Sequence, residues 1–136
     1  MRKELDEQIC RECPNLYKNR YKSMAETCMC WGFSCDDGWF QIIYDLSKKL
    51  EAEILRLPEE ERQRYSVSQV KEKYGGLRFY MDSYTDRIGA LIREAEEKSE
   101  KTCETCGAPG KIRNHHRWYY CSCEDHDKGG LNEMEW

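Results

Sequence analysis

The feature of this 136-residue sequence that most constrains its fold is its nine cysteines, which form two groups. The early group is Cys10, Cys13, Cys28, Cys30 and Cys35, and the late group is Cys103, Cys106, Cys121 and Cys123. An odd number of cysteines cannot all pair within one chain, and the N-terminal residues lack the apolar core of a signal peptide. We therefore expect a reducing, cytoplasmic location, where clustered cysteines bind metal more often than they form disulfides.

The late group has the spacing of a zinc site. Two residues separate Cys103 from Cys106, and the same spacing recurs between Cys123 and His126. Cys121 offers an alternative ligand close to Cys123. Four nitrogen or sulfur ligands complete a tetrahedron around zinc, and such a closed site is usually structural. We therefore predict a structural zinc ion bound by Cys103, Cys106, Cys123 and His126, with Cys121 in reserve.

The early cysteines leave two alternatives open. Cys10 and Cys13 could bind a second metal together with Cys28 and either Cys30 or Cys35. Alternatively, the five thiols are small apolar groups in the core or on the surface. The second alternative is favoured, because a predicted helix would separate Cys10 from Cys28.

Hydrophobic periodicity predicts an α+β fold. Helices are expected over about residues 14–31, 37–57 and 86–101. Alternating residues around Gly75-Gly76 predict a β-hairpin over about 66–82, whose apolar face packs on the helices. This α+β domain, residues 1–101, would precede a small zinc-ribbon or knuckle-like module over 102–128 and a flexible tail over 129–136.

The predicted hairpin has one polar, basic face. Lys71, Lys73 and Arg78 lie on it beside Tyr80, and arginine in particular suits bidentate phosphate contacts. The alternative is an ordinary solvated sheet face. Glu72 falls on the opposite, apolar face, where a carboxylate needs a partner or marks a site.

Two further motifs suggest sites. Trp31 and Trp39 flank an acidic glycine turn and could line a ligand pocket, although such residues more often form core where helices meet. Asn114-His115-His116 beside a zinc module is similar to the motif of HNH-type nucleases, in which a histidine acts as general base. The alternative is an exposed hairpin turn.

Charge and hydropathy exclude two classes of protein. The 22 basic and 26 acidic residues give a net charge of −4, which argues against a general polyanion binder with a broad basic surface. No apolar run approaches the roughly 20 residues that cross a bilayer, so we expect no membrane association.

Three segments together carry a resemblance: MCWGFSCDDGWFQII at 29–43, VKEKYGGLRFYMD at 70–82, and TCETCGAPGKIR at 102–113 with CEDH at 123–126. They resemble a group of short proteins encoded by tailed phages and prophages, over most of the chain from about residue 14 onward. The resemblance implies an accessory role inside an infected bacterium and provides no activity to transfer. Cys10 and Cys13 are additions to that group's pattern.

These observations lead to three functional hypotheses. The first is a non-enzymatic binding protein that engages a host protein or complex, such as a defence protein, through the hairpin face and the aromatic turn. The second is a nucleic-acid-associated protein or HNH-like nuclease. The third is a protein that sequesters a small ligand or nucleotide. An exposed hairpin edge could also pair with a second copy of the chain to form a homo-oligomer.

Overall fold

The fold is mixed α+β, as predicted. The computed structural model describes residues 1–128, and the predicted tail lies outside the described residues. The described helices are α1 (Lys3–Glu12), α2 (Phe40–Leu55), α3 (Glu59–Arg62) and α4 (Asp86–Ser99). The described strands are β1 (Phe33–Ser34), β2 (Val67–Lys73), β3 (Gly76–Met81), β4 (Lys111–His115) and β5 (Trp118–Ser122). Short 3-10 turns occur at Cys28–Trp31, Asp37–Trp39 and Glu124–His126.

The strands form two separate sheets. The first has the order β1-β2-β3, in which β1 runs parallel to β2 and pairs Phe33 with Val70. Strands β2 and β3 form the predicted antiparallel hairpin. The second sheet is the two-stranded ribbon β4–β5, which lies in the C-terminal module.

The β2–β3 hairpin turns one residue earlier than predicted. Its turn is Tyr74-Gly75 instead of Gly75-Gly76, so Glu72 pairs with Leu77. Tyr74 and Gly75 have positive φ values of 54° and 86°, as the primed turns favoured in hairpins require. The Glu72 carboxylate accepts a hydrogen bond from the Gly75 N–H at 2.7 Å. The predicted faces are retained, because the shift changes each pairing by two residues and side chains alternate with a period of two.

Helix α4 covers the outer edge of β3. The Leu77 N–H donates to the Ser99 hydroxyl at 2.9 Å, and the Phe79 N–H donates to the Glu96 carboxylate at 3.1 Å. These edge amides are therefore already bonded, which corrects the expectation of a hairpin edge exposed for pairing with a second copy. Self-association by another surface stays a prediction.

The core lies between the first sheet and the helices. Buried residues of α2 and α4 pack with buried residues of β2 and β3 in one apolar cluster: Ile43, Leu50, Ile54, Ile88, Ile92, Val70, Leu77 and Phe79. The Thr85 hydroxyl caps α4 by accepting from the Ile88 N–H at 3.2 Å. Within residues 1–128, no helix has both the length and the apolar character needed to span a bilayer.

The predicted helix over 14–31 is wrong. Successive turns occupy most of this segment, because its backbone has tertiary partners. The N–H groups of Asn15 and Leu16 donate to the Glu51 carboxylate of α2 at 3.3 and 2.9 Å. The Leu16 carbonyl accepts from the Val67 N–H at 2.9 Å. Apolar residues at helical spacing here fill the core without forming a helix.

The N-terminal helix α1 was not predicted, because it has few apolar residues to give a period. Its sequence does carry a weaker signal: Glu4 and Asp6 lie in its first turn and Arg11 in its last. This charge order suits the helix dipole. Asp6 also binds the Arg20 guanidinium at 2.8 Å, which attaches α1 to the following segment.

Candidate metal centre

The first half of the centre is a tight turn that follows α4. The Cys103 N–H donates to the Ala108 carbonyl at 2.7 Å, and the Gly107 N–H donates to the Cys103 carbonyl at 2.8 Å. Gly107 has a φ of +83°, which favours glycine at this position. The turn places Cys103 and Cys106 side by side at the end of a rigid helix.

The β4–β5 ribbon supplies the second half. Cys123 follows β5 directly, and His126 lies in the next 3-10 turn. The carboxylate of Asp127 holds this turn on the ribbon, because it accepts from the Tyr120 hydroxyl at 2.7 Å and from the Arg113 guanidinium at 3.2 Å. These two hydrogen bonds fix the chain at the residue that follows His126.

The donor atoms of Cys103, Cys106, Cys123 and His126 all lie within 4.8 Å of one another, and this group could hold a metal ion. The Sγ atoms of Cys106 and Cys123 are 3.7 Å apart. The His126 Nδ1 atom lies 3.2 Å from the Cys123 Sγ and 3.8 Å from the Cys103 Sγ. Two sulfurs bound tetrahedrally at about 2.3 Å from one ion would be about 3.8 Å apart. The spacing of the donors therefore fits a tetrahedral metal.

The backbone of the turn favours the thiolate of Cys103, the form that binds metal. Burial raises the pKa of Cys103, but hydrogen bonds from the backbone of Cys123, Cys106 and Thr105 outweigh it and bring the pKa to about 6.

Cys121, the reserve ligand, lies outside the group. Its thiol donates to the Thr102 carbonyl at 3.1 Å, and burial raises its pKa to about 11. In the ribbon it is paired with Ile112, on the opposite side of β5 from its neighbours in sequence. Cys123 instead follows the end of β5, and its thiol lies in the donor set, which does not include Cys121.

The WGFSCDDGWF segment joins this centre to the core. The Gly38 N–H donates to the Glu104 carbonyl at 2.7 Å, and the Glu104 carboxylate accepts from the Asp36 N–H at 3.0 Å. The Trp39 indole N–H donates to the Thr102 carbonyl at 2.9 Å. Sequence reasoning missed this role, although an acidic glycine turn beside a tryptophan was the available signal.

The tryptophans of this segment do not form one pocket. Trp39 is fully buried in the core, whereas Trp31 lies in a 3-10 turn and is 63% exposed. The predicted role of Trp39 in a binding surface is therefore wrong, because its ring has no exposed area and its N–H is already bonded. A binding role for Trp31 stays a prediction.

The early cysteines belong largely to the core. Burial is the main cause that raises the pKa of Cys10, Cys13 and Cys35, each to about 12. Cys28 is exposed and Cys30 half-buried. In the part of the chain that the structure describes, the early cysteines form no second group of the kind found at the C-terminal centre.

The basic hairpin residues are on the face that the sequence predicted. Lys71 and Arg78 are directly paired across the strands. Lys73 is exposed, and Tyr80 is exposed at the far end of β3. Glu72 has the partner that its position demands, since it accepts from the Gly75 backbone. A binding role for these residues stays a prediction.

His115 and His116 lie at the tip of the ribbon. His115 ends β4, and His116 with Arg117 forms the turn to β5, both with positive φ values of 51° and 68°. The two imidazole rings are 4.3 Å apart. Neither histidine belongs to the candidate metal group. Their position is that of a hairpin turn, which was the alternative to a nuclease motif.

The chain was also compared with known proteins. No protein-family model matches it, and neither the curated proteins nor the solved structures give a significant match.

Proposed function

We propose that this protein is a small zinc-binding protein that acts by binding a partner macromolecule, and that its zinc ion is structural. The observation that carries the proposal is the closed donor set: Cys103, Cys106, Cys123 and His126 provide four ligand atoms within 4.8 Å. Catalytic zinc sites keep a coordination position open for water or substrate. A site filled by four side chains instead supports a structural role.

The chemistry of the donors supports zinc as the metal. Three thiols and one imidazole suit zinc, whereas calcium and magnesium prefer oxygen ligands. A reducing cytoplasm would keep these thiols available.

A structural ion would hold together elements that bury little apolar surface. The ribbon is short, and Ile112, Trp118 and Tyr119 are all exposed on it. Metal bonds between Cys103 and Cys106 on one side and Cys123 and His126 on the other would replace the missing core. The function of the ion would be to fix the surface that the ribbon presents.

The resemblance to phage and prophage proteins supports a partner from the bacterial host. A host protein is one such partner and a host or phage nucleic acid is another.

The first test is the metal content of the native chain, measured by elemental analysis. We expect one zinc ion per chain in the wild type and little in Cys106→Ser. Cys28→Ser is the matched control, because Cys28 is also exposed and lies outside the donor set; it should retain the zinc. Stoichiometric zinc in Cys106→Ser, or no zinc in folded, reduced wild-type protein, would refute the proposed site.

A further inference from the structure

The ribbon has an unusual charge distribution. Residues 105–123 contain Lys111, Arg113, Arg117 and two histidines but no aspartate or glutamate, in a chain whose net charge is −4. Arg113 is bonded to Asp127, whereas Lys111 and Arg117 are exposed. The described acidic residues of the module flank this stretch in the sequence: Glu104, bonded to Asp36, precedes it, and Glu124, Asp125 and Asp127 follow it. The ribbon is thus a local cationic surface.

Aromatic side chains are exposed on and beside this surface. Tyr74, at the tip of the β2–β3 hairpin, is 66% exposed, and Tyr119 on β5 is 39% exposed. Their rings meet edge to face with centroids 6.3 Å apart. Trp118 is 49% exposed on the other side of β5. Large aromatic groups would gain free energy by burial. The exposure of Tyr74 and Tyr119 in contact with one another therefore indicates a surface that a partner covers.

The tips of the first hairpin and the ribbon are held against each other. A Cβ atom added at Gly75 would lie 3.2 Å from the Ile112 side chain and 3.3 Å from the Tyr120 backbone. The Tyr74 backbone is left-handed, with a φ of 54°, as the two-residue hairpin turn requires. Tyr74 is therefore positioned by the contact between the two hairpins.

Cations lie beside the exposed rings. The Lys73 ammonium is 5.6 Å from the centroid of the Tyr74 ring, and the Lys128 ammonium is 4.7 Å from the centroid of the Trp118 ring. Arg117 is exposed in the turn that joins β4 and β5. Aromatic rings that stack on bases, with cations that contact phosphates, are the two components of surfaces that bind single strands.

We propose that Tyr74 and Tyr119, with Lys73 and Arg117, form a binding surface for single-stranded nucleic acid. This inference rests on the proposed function, because the structural zinc would hold the ribbon in place. A single strand fits better than a duplex, since only unpaired bases offer faces for stacking. It fits better than a protein partner, because the patch combines exposed aromatic rings with cations, the two components that bind bases and phosphates.

The test uses zinc-loaded full-length protein and a fluorescent oligothymidine or oligouridine of about 15 nucleotides, within the range that single-strand binders cover. Binding is measured by fluorescence polarisation over a salt series. Two phosphate contacts, from Lys73 and Arg117, predict a slope of log K against log salt of about −1.4. We expect Tyr74→Ala to weaken binding by about 5-fold to 150-fold, the range for loss of one stacked base.

Tyr84→Ala is the matched control, because Tyr84 is 65% exposed and lies just before α4, away from the ribbon. It should bind like the wild type. Tyr119→Ala provides a second variant within the surface, and the zinc content of each protein is measured in parallel. No saturable binding by zinc-loaded wild type, equal loss in Tyr84→Ala, or tighter binding of a duplex of the same length would overturn this inference. Those outcomes would leave the zinc site standing, whereas absence of zinc would refute the proposed function itself.

Discussion

At the scale of single residues, Gly38 determines how closely the metal centre approaches the core. A Cβ atom at this position would lie 2.2 Å from the Cys103 carbonyl oxygen and 2.3 Å from that of Glu104. Both contacts are with backbone, which cannot rotate away as a side chain can. The first turn of the metal centre therefore requires a residue without a side chain at position 38.

Gly38→Ala should lower the free energy of unfolding by about 1–3 kcal/mol, the usual cost of forcing an extra carbon into a packed site. The variant should also release zinc to a chelator more readily, because the Cys103 turn must shift. Chemical denaturation and a chromophoric chelator measure the two effects.

Gly89→Ala in α4 is the control for the same substitution. Its added Cβ would meet two side chains, the ring of exposed Tyr84 at 3.3 Å and the Arg93 guanidinium at 3.5 Å, and alanine is the better helix former. Equal stability of Gly38→Ala and wild type would show that the core and the metal centre do not need this close approach.

Residue spacing alone predicted the four donors of the metal group. It also left Cys121 in reserve as an alternative to His126. The structure makes that choice, because the Cys121 thiol donates to the Thr102 carbonyl and lies outside the donor group. Position 38 was beyond sequence reasoning for a related reason: its neighbours, Cys103 and Glu104, are distant along the chain.

At the scale of elements, Glu51 of α2 organises the irregular segment after α1. Its carboxylate is buried and accepts from the backbone of Asn15 and Leu16 and from the Asn15 side chain at 2.8 Å. One side chain thus replaces the hydrogen bonds that a helix would have provided here.

Glu51→Ala should destabilise the protein by about 1–3 kcal/mol, because buried backbone donors would lose their acceptor. Thermal denaturation measures the effect. Glu53→Ala, on the same helix, is the control: Glu53 pairs with Arg56 and Arg87, both largely exposed, and such surface pairs contribute about 0–1 kcal/mol. A larger loss in Glu53→Ala than in Glu51→Ala would contradict this account of the segment.

The elements that sequence reasoning found are those whose pattern is local. Periodicity identified α2 and α4, and alternation identified both faces of the β2–β3 hairpin. The segment 14–31 has apolar residues at helical spacing, yet the backbone groups of Leu16 form hydrogen bonds with Glu51 and Val67. The turn of the hairpin moved by one residue because Gly76 is paired in the strand while Tyr74 adopts the left-handed conformation.

At the scale of the whole molecule, the candidate metal donors and the apolar core lie in different parts of the chain. The donors all lie between Cys103 and His126, whereas the core consists mainly of earlier residues. They meet through Gly38, Trp39 and the Gly75 turn. That residues 1–101 form a domain separate from the module stays a prediction from the sequence.

Removal of the metal by a chelator should therefore loosen the module and leave the core folded. Hydrogen exchange followed by mass spectrometry should show faster exchange over residues 102–128 and at Gly38, with protection retained in α2 and α4. Zinc added back after the chelator should restore the original exchange. Unfolding of the whole chain on chelation, or unchanged exchange in the module, would contradict the separation.

The hydrogen bond from Trp39 to the Thr102 carbonyl has a consequence for mutational tolerance. Its donor is a side chain, but its acceptor is a main-chain oxygen that every amino acid carries. The same holds for the bond from Gly38 to the Glu104 carbonyl. A substitution at position 102 would therefore keep the acceptor of this bond, although it would lose the bond from the Thr102 hydroxyl to the Lys98 carbonyl, whereas a substitution at position 39 would remove the donor.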